Sequence, residues 1–147
     1  WKLLIKYPSL GKVEWGEPEN WLKEDKTPGH NCFIEGSMAI DGNIWILDPS
    51  GKIDKYYIGV LQKTLEIKIF PYLENPTKIS TTQALPYLYI LEQKNKRIII
   101  LDKNGNTIKQ FQSDKFDNMK DLAISNDGRF IYLLSGQKVY RINFYQD

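Results

Sequence analysis

Three tetrapeptides, Ile44-Trp45-Ile46-Leu47, Leu88-Tyr89-Ile90-Leu91 and Ile131-Tyr132-Leu133-Leu134, share one order of side chains: aliphatic, aromatic, aliphatic, leucine. Their closing leucines, at 47, 91 and 134, are spaced by 44 and then 43 positions. A self-similar unit of this length is an array of equivalent supersecondary pieces, and each piece must bury its apolar surface against a neighbour. The runs are apolar at nearly every position rather than at alternate ones, which fits strands covered on both faces of a sheet.

Working outward, Ala39-Ile40-Asp41-Gly42 precedes the first copy and Ala123-Ile124-Ser125-Asn126-Asp127-Gly128 the third, where Asp-Gly supplies hairpin turn chemistry. The middle copy has Ala84-Leu85-Pro86 in that place. Downstream, each copy continues through a polar turn into a third β-rich run, at 52–57, 97–101 and 138–143. A fourth run is expected at 65–70 and at 107–111, the latter after the Asn104-Gly105 turn signal. The third copy reaches only Phe144-Tyr145.

The strand wanting there has a candidate at the other end of the sequence. Leu4-Ile5-Lys6-Tyr7-Pro8 resembles Ile67-Lys68-Ile69-Phe70-Pro71 and Ile108-Lys109-Gln110-Phe111, each with an aromatic residue three positions after an aliphatic one. The expected organisation is one domain over 1–147, with sheets at 36–70, 76–111 and 117–144 plus 1–8. Tyr7 and Phe70 are 63 apart where Phe70 and Phe111 are 41 apart, and the excess is assigned to an insertion loop at 9–28, broken by Gly11, Gly16, Pro18 and Pro28.

Residues 121–134 followed by 138–143 resemble the repeat of NHL-type and related six-bladed β-propellers. In that repeat an Ala-Ile-x-x-Asp-Gly-x-Ile-Tyr-x-Leu run leads through a basic turn to Asp-x-x-Gly-x and the outer strand. Residues 88–111 match its second half, and the resemblance covers about 36–143. The chain is also similar to the C-terminal propeller regions of large, membrane-anchored, uncharacterised bacterial proteins. The resemblance implies an all-β propeller of three four-stranded blades, half of a six-bladed ring, with no catalytic motif. Propellers close with roughly four to eight blades. Three therefore need company, from a longer ring or from a second copy in a homodimer of ordinary two-fold symmetry. In that dimer residues 1–7 are expected to give the outer strand of the blade at 121–143, the partner chain's.

Composition narrows the function. With 41% hydrophobic and 26% charged residues, the 147-residue chain belongs with folded domains rather than disordered ones. The longest aliphatic run, Ile98-Ile99-Ile100-Leu101, lies between Arg97 and Asp102, far short of the roughly 18 apolar residues of a membrane span. No direct membrane insertion is expected. The sequence starts at Trp1 without a signal-peptide pattern, so a trimmed piece of a longer protein is expected, an extracytoplasmic part of an anchored one fitting the resemblance. A lone cysteine does not fix the compartment. Net charge is +2, which supplies little phosphate-driven affinity; nucleic-acid partners are not expected, and Lys94, Lys96, Arg97 and Lys103 read as solvated turn residues.

His30 and Cys32 form the single His-x-Cys pair, too few ligands for a metal site and lacking an orienting partner for nucleophilic chemistry, so they read as loop residues. Asp41, Asp48, Asp102, Asp121 and Asp127 recur at turns; a turn role suffices for them, and no calcium-loop spacing accompanies them. Trp45 shares its place with Tyr89 and Tyr132 and reads as a packing residue. Trp15 and Trp21, in the insertion among acidic residues, could form a ligand-binding lip or pin the loop to the sheet edge. The expected function is a non-enzymatic binding module for an unknown protein or small ligand, without metal or cofactor. The alternatives are a calcium-dependent hydrolase whose site forms only in the assembled ring, and an RNA-binding propeller.

Overall fold

The computed structural model describes residues 36–145 throughout and, nearer the N-terminus, the backbone of four strand segments: β1 (Lys2–Leu3), β2 (Lys6–Ser9), β3 (Lys12–Trp15) and β4 (Glu19–Asn20). Eleven further strands build three antiparallel sheets in chain order. Sheet I is β5 (Ser37–Ile40), β6 (Ile44–Leu47), β7 (Ile53–Tyr57) and β8 (Val60–Leu65); sheet II is β9 (Lys78–Thr81), β10 (Tyr87–Glu92), β11 (Arg97–Asp102) and β12 (Thr107–Gln112). Sheet III has three strands, β13 (Met119–Ile124), β14 (Phe130–Ser135) and β15 (Lys138–Asn143). Each is a meander whose strands pair with their sequence neighbours, and no described residue is helical.

The sheets pack face to face, so strand alternation sends the side chains of the middle tetrapeptide into two different cores, while the first and third each give alternate residues to one. Trp45, Leu47 and Ile53 of sheet I meet Ile79, Leu88, Ile90, Ile99 and Leu101 of sheet II in one buried cluster. The opposite face of sheet II places Tyr89, Leu91, Ile98 and Ile100 against Leu122, Ile131 and Leu133 of sheet III. Both faces of β10 and β11 are therefore covered, which is why these strands carry no polar alternation. The first strands of the sheets come together on one side, β5 against β9 and β9 against β13.

Two expectations are corrected. The fourth strand of sheet I is β8, at 60–65 and not at 65–70. Ile58 and Gly59 both have positive φ, 48° and 75°, and close a two-residue turn between paired Tyr57 and Val60. An isoleucine is the wrong residue to advertise such a turn, so the hairpin was hidden. Ile67 and Ile69 lie in the connection to sheet II, packed on the first core.

The second concerns the N-terminal segment. Residues 67–71 belong to a connection and not to an outer strand, and among the described residues of a single chain the N-terminal strands pair with one another. Lys6 to Ser9 pair with Trp15 to Lys12, and Lys2 and Leu3 pair with Asn20 and Glu19. Ser9 pairs opposite Lys12, and so local a pairing costs far less chain entropy than one with a strand some 130 residues away. The region 9–28 is thus not wholly a loop: β3 and β4 lie in it, and the remainder falls outside the described residues.

Candidate functional site

Three arrangements of polar or exposed side chains stand on this scaffold. The first joins sheets I and II at the β5–β6 turn. Asp41 is 9% exposed, and its Oδ1 accepts from Trp45 Nε1 at 2.9 Å and from Asn43 N at 3.1 Å. Its Oδ2 accepts from Thr81 Oγ1 at 3.2 Å and pairs with Lys103 Nζ at 2.6 Å. Burial alone would raise this carboxyl, but the donors of Lys103, Trp45 and Asn43 outweigh it and hold the pKa at about 2. Lys103 also donates to the Thr82 carbonyl at 3.3 Å, and Thr82 Oγ1 is the one buried side-chain oxygen without a partner among the described residues.

The second is a buried ion pair inside sheet II. Glu92 and Arg97, at 0% and 1% exposure, face each other across the β10–β11 turn, with Arg97 Nε donating to Glu92 Oε2. The rest of the guanidinium turns outward: it donates to the backbone carbonyls of Pro71 at 2.6 Å and Tyr72 at 3.3 Å, and to the side-chain Oε1 of Gln110 at 3.0 Å. Glu92 Oε1 takes the Glu74 N–H at 2.5 Å and Asn95 Nδ2 at 3.0 Å. The pair is a clamp on the 66–77 connection. Above the clamp Phe70 and Tyr72 stand 82% and 76% exposed, edge to face, with ring centroids 6.4 Å apart. Pro71 and Asn75-Pro76 signal this loop in the sequence, but nothing there signals that a buried arginine holds it.

The third is an open groove of about 560 Å³ between the outer strand of sheet I at Lys63 and Leu65, with Lys68 of the following connection, and the Asn104-Gly105 turn of sheet II.

The residues singled out in the sequence are distributed as follows. Trp15 ends β3, in register with Lys6. Trp21, His30 and Cys32 lie outside the described residues. The turn aspartates accept local hydrogen bonds: Asp48 from Ser50 Oγ and Lys52 N, Asp102 from Asn104 N and Asn106, and Asp127 from Ser125 Oγ and Arg129 N. Asn106 above all lowers the Asp102 carboxyl, and Ser125 that of Asp127. Asp121 is different: it bridges to Lys78 at 2.8 Å, joining sheet III to sheet II, and that ammonium holds its pKa below the usual value. Among the described residues no three His, Cys, Asp or Glu side chains gather as a metal site.

The basic group is solvent-exposed at Lys94 and Lys96, as expected, but not at Arg97. Every member has a carboxylate partner, Lys94 with Glu74, Lys96 with Asp117, Arg97 with Glu92 and Lys103 with Asp41, and Arg97 is buried rather than solvated.

Solved structures share this stack of antiparallel meanders, which have four, four and three strands among the described residues. Kuenenia stuttgartiensis hydrazine synthase matches with a TM-score of 0.61 at 13% identity, over 83% of this chain and 36% of that one. A streptogramin B lyase structure matches at 0.56 and 18% identity, over 76% and 38%, and Kluyveromyces lactis Hsv2 at 0.55 and 18%, over 74% and 32%. The fold is a β-propeller. Its sheets are blades I, II and III, and the chain spans about a third of the length of these propellers. At such identities the likeness concerns fold alone; the reactions named for two of the neighbours belong to those proteins. No protein-family model and no curated protein matches the sequence.

Proposed function

We propose that this chain is a non-enzymatic propeller module that binds a protein or small ligand through its rim loops and joins a second copy to complete the ring. The observation that supports the binding role is the clamped aromatic pair. Exposed rings ordinarily lose part of a binding free energy to ordering, and a loop whose carbonyls are already fixed by a buried guanidinium loses less. Phe70 and Tyr72 offer two apolar faces and one hydroxyl, the equipment for stacking on a peptide side chain or the apolar face of a sugar. Ring completion is supported by the blade count, since three blades fall short of the roughly four to eight that close around an axis.

Peptide and glycan arrays probed with the wild-type chain and with a Phe70→Ala/Tyr72→Ala double variant test the binding role. Binding that weakens about tenfold or more in the double variant is expected, the usual range for losing interface aromatics. Saturable turnover of an ester, lactone or glycan, or binding indifferent to the double variant, overturns it.

A further inference from the structure

Lys63 and Lys68 differ from the cations described so far. Lys94, Lys96, Arg97 and Lys103 each hold a carboxylate, whereas Lys63 and Lys68 are exposed and hold none among the described residues. Glu66 lies between them in the sequence, also exposed, and pairs with neither. All three line the open groove of about 560 Å³, which buried Leu65 and Gly105 close on the protein side. Of the other polar groups there, the Thr64 hydroxyl is spent on Asp54 at 2.6 Å and the Asn106 amide on Asp102 at 2.7 Å. The Asn104 side-chain amide and the Thr107 hydroxyl have no protein partner among the described residues, which leaves them for a ligand.

The groove and the clamped aromatic pair belong to one surface. Exposure alternates along 66–70: Glu66, Lys68 and Phe70 are open, while Ile67 and Ile69 pack on the first core. Residues two apart on one side of an extended chain lie about 7 Å apart, so Lys68 stands next to the Phe70 ring. On the blade II side, Thr107 lines the groove, and Gln110 shares the Arg97 guanidinium with the Pro71 and Tyr72 carbonyls. Those two β12 residues are three apart, about 10 Å of strand.

From this we infer that the groove and the aromatic pair form one extended site for an anionic oligosaccharide. The inference rests on the reading that Phe70 and Tyr72 bind ligand, and adds the ligand's class. The rings supply stacking surface for the apolar face of a sugar, the two free ammonium groups take carboxylate or sulfate groups on neighbouring units, and Asn104, Thr107 and Glu66 serve hydroxyls.

Calorimetric titration tests this with hexagalacturonate, its uncharged methyl ester, a heparin-derived hexasaccharide and hexaglutamate. The proteins are the wild type, Lys63→Gln/Lys68→Gln, Phe70→Ala/Tyr72→Ala, and the control Lys120→Gln/Lys138→Gln, which removes two exposed cations of blade III; circular dichroism confirms the fold of each. At least one acidic glycan is expected to bind the wild type, and whether it is the uronate or the sulfated chain identifies the anion. Its binding is expected to weaken about tenfold in the groove variant and in the aromatic variant, and less than about twofold in the control. For a uronate ligand, the methyl ester should bind about tenfold more weakly than the free acid. No binding of either acidic glycan, equal binding of the ester, tighter binding of hexaglutamate, or an equal loss in the control overturns the inference. Binding of any probe that falls in the aromatic variant but not in the groove variant overturns the anionic assignment alone and leaves the aromatic reading standing. A loss in the groove variant alone overturns the joining of the two parts.

Discussion

Asp41 is a hub because its two oxygens serve two sheets at once: Oδ1 satisfies the Trp45 indole and its own turn, and Oδ2 reaches Thr81 and Lys103 of blade II. Asp41→Ala strips partners from a buried indole N–H and a half-buried ammonium, and is expected to cost about 2–4 kcal/mol of unfolding free energy in urea titrations. The pH dependence follows from a carboxyl at about 2 in the folded chain against an ordinary 3.8. Its contribution is fully present above the ordinary value and is lost as pH falls toward about 2. Asp102, Asp121 and Asp127 are depressed as well, so acid lability alone does not report on Asp41. The difference between wild type and Asp41→Asn does: it narrows across that window and is flat above pH 5. Arg97→Met is the second residue-scale case. It leaves Glu92 buried and charged without its cation, an expected loss of about 3–5 kcal/mol. It also frees the Pro71 and Tyr72 carbonyls, so limited proteolysis at 70–72 should quicken in this variant under conditions where it is still folded.

At the scale of elements, turns carry much of the specificity, and two glycines separate its causes. Gly42 has φ of 97° and nothing within 4 Å of an added Cβ, whereas Gly51, at 90°, would place that carbon 2.8 Å from Leu73 Cβ. Gly42→Ala is therefore expected to cost about 1 kcal/mol, from backbone strain alone, and Gly51→Ala about 2–3 kcal/mol because it also lifts Leu73 off the first core. Thermal melts of the two variants side by side check the ordering. The same contrast explains what could be read in advance. Blade cores were legible because Trp45, Tyr89, Leu91 and their neighbours are apolar on successive positions, a pattern only doubly covered strands require. The Asp41-Gly42 and Asp127-Gly128 turns were legible from their own chemistry. The Ile58-Gly59 turn was not, since isoleucine disfavours positive φ and is held there by the β7–β8 pairing around it. Arg97 was illegible for a different reason. In sequence it is one of several cations near a turn, and its burial depends on Glu92, Gln110 and two carbonyls 25 and 26 positions away. The aromatic pair is illegible because 67–70 has the pattern of a strand, and only the β7–β8 pairing fills the outer edge ahead of it.

At the scale of the whole molecule, stability is graded along the stack. Among the described residues blade II is the only one of the three with both faces in a hydrophobic cluster, and the two clusters it joins share no residue. Opening β10 or β11 exposes side chains to water on both sides, so local fluctuation there amounts to losing the domain. Blade III is held on one face, and among the described residues its last strand, β15, pairs only with β14. Native-state hydrogen exchange should therefore place the amides of Leu88–Leu91 and Ile98–Leu101 at the limit set by global unfolding, while those of Val139–Ile142 exchange by local opening, orders of magnitude faster. The gradient is a property of an uncovered end. If two copies complete the ring as proposed, raising the concentration should slow exchange in β14 and β15 more than in any other strands, because they gain a cover they lack in the single chain. Protection of β15 that matches β10 in a chain of 17.2 kDa solution mass would mean the stack is stabilised some other way.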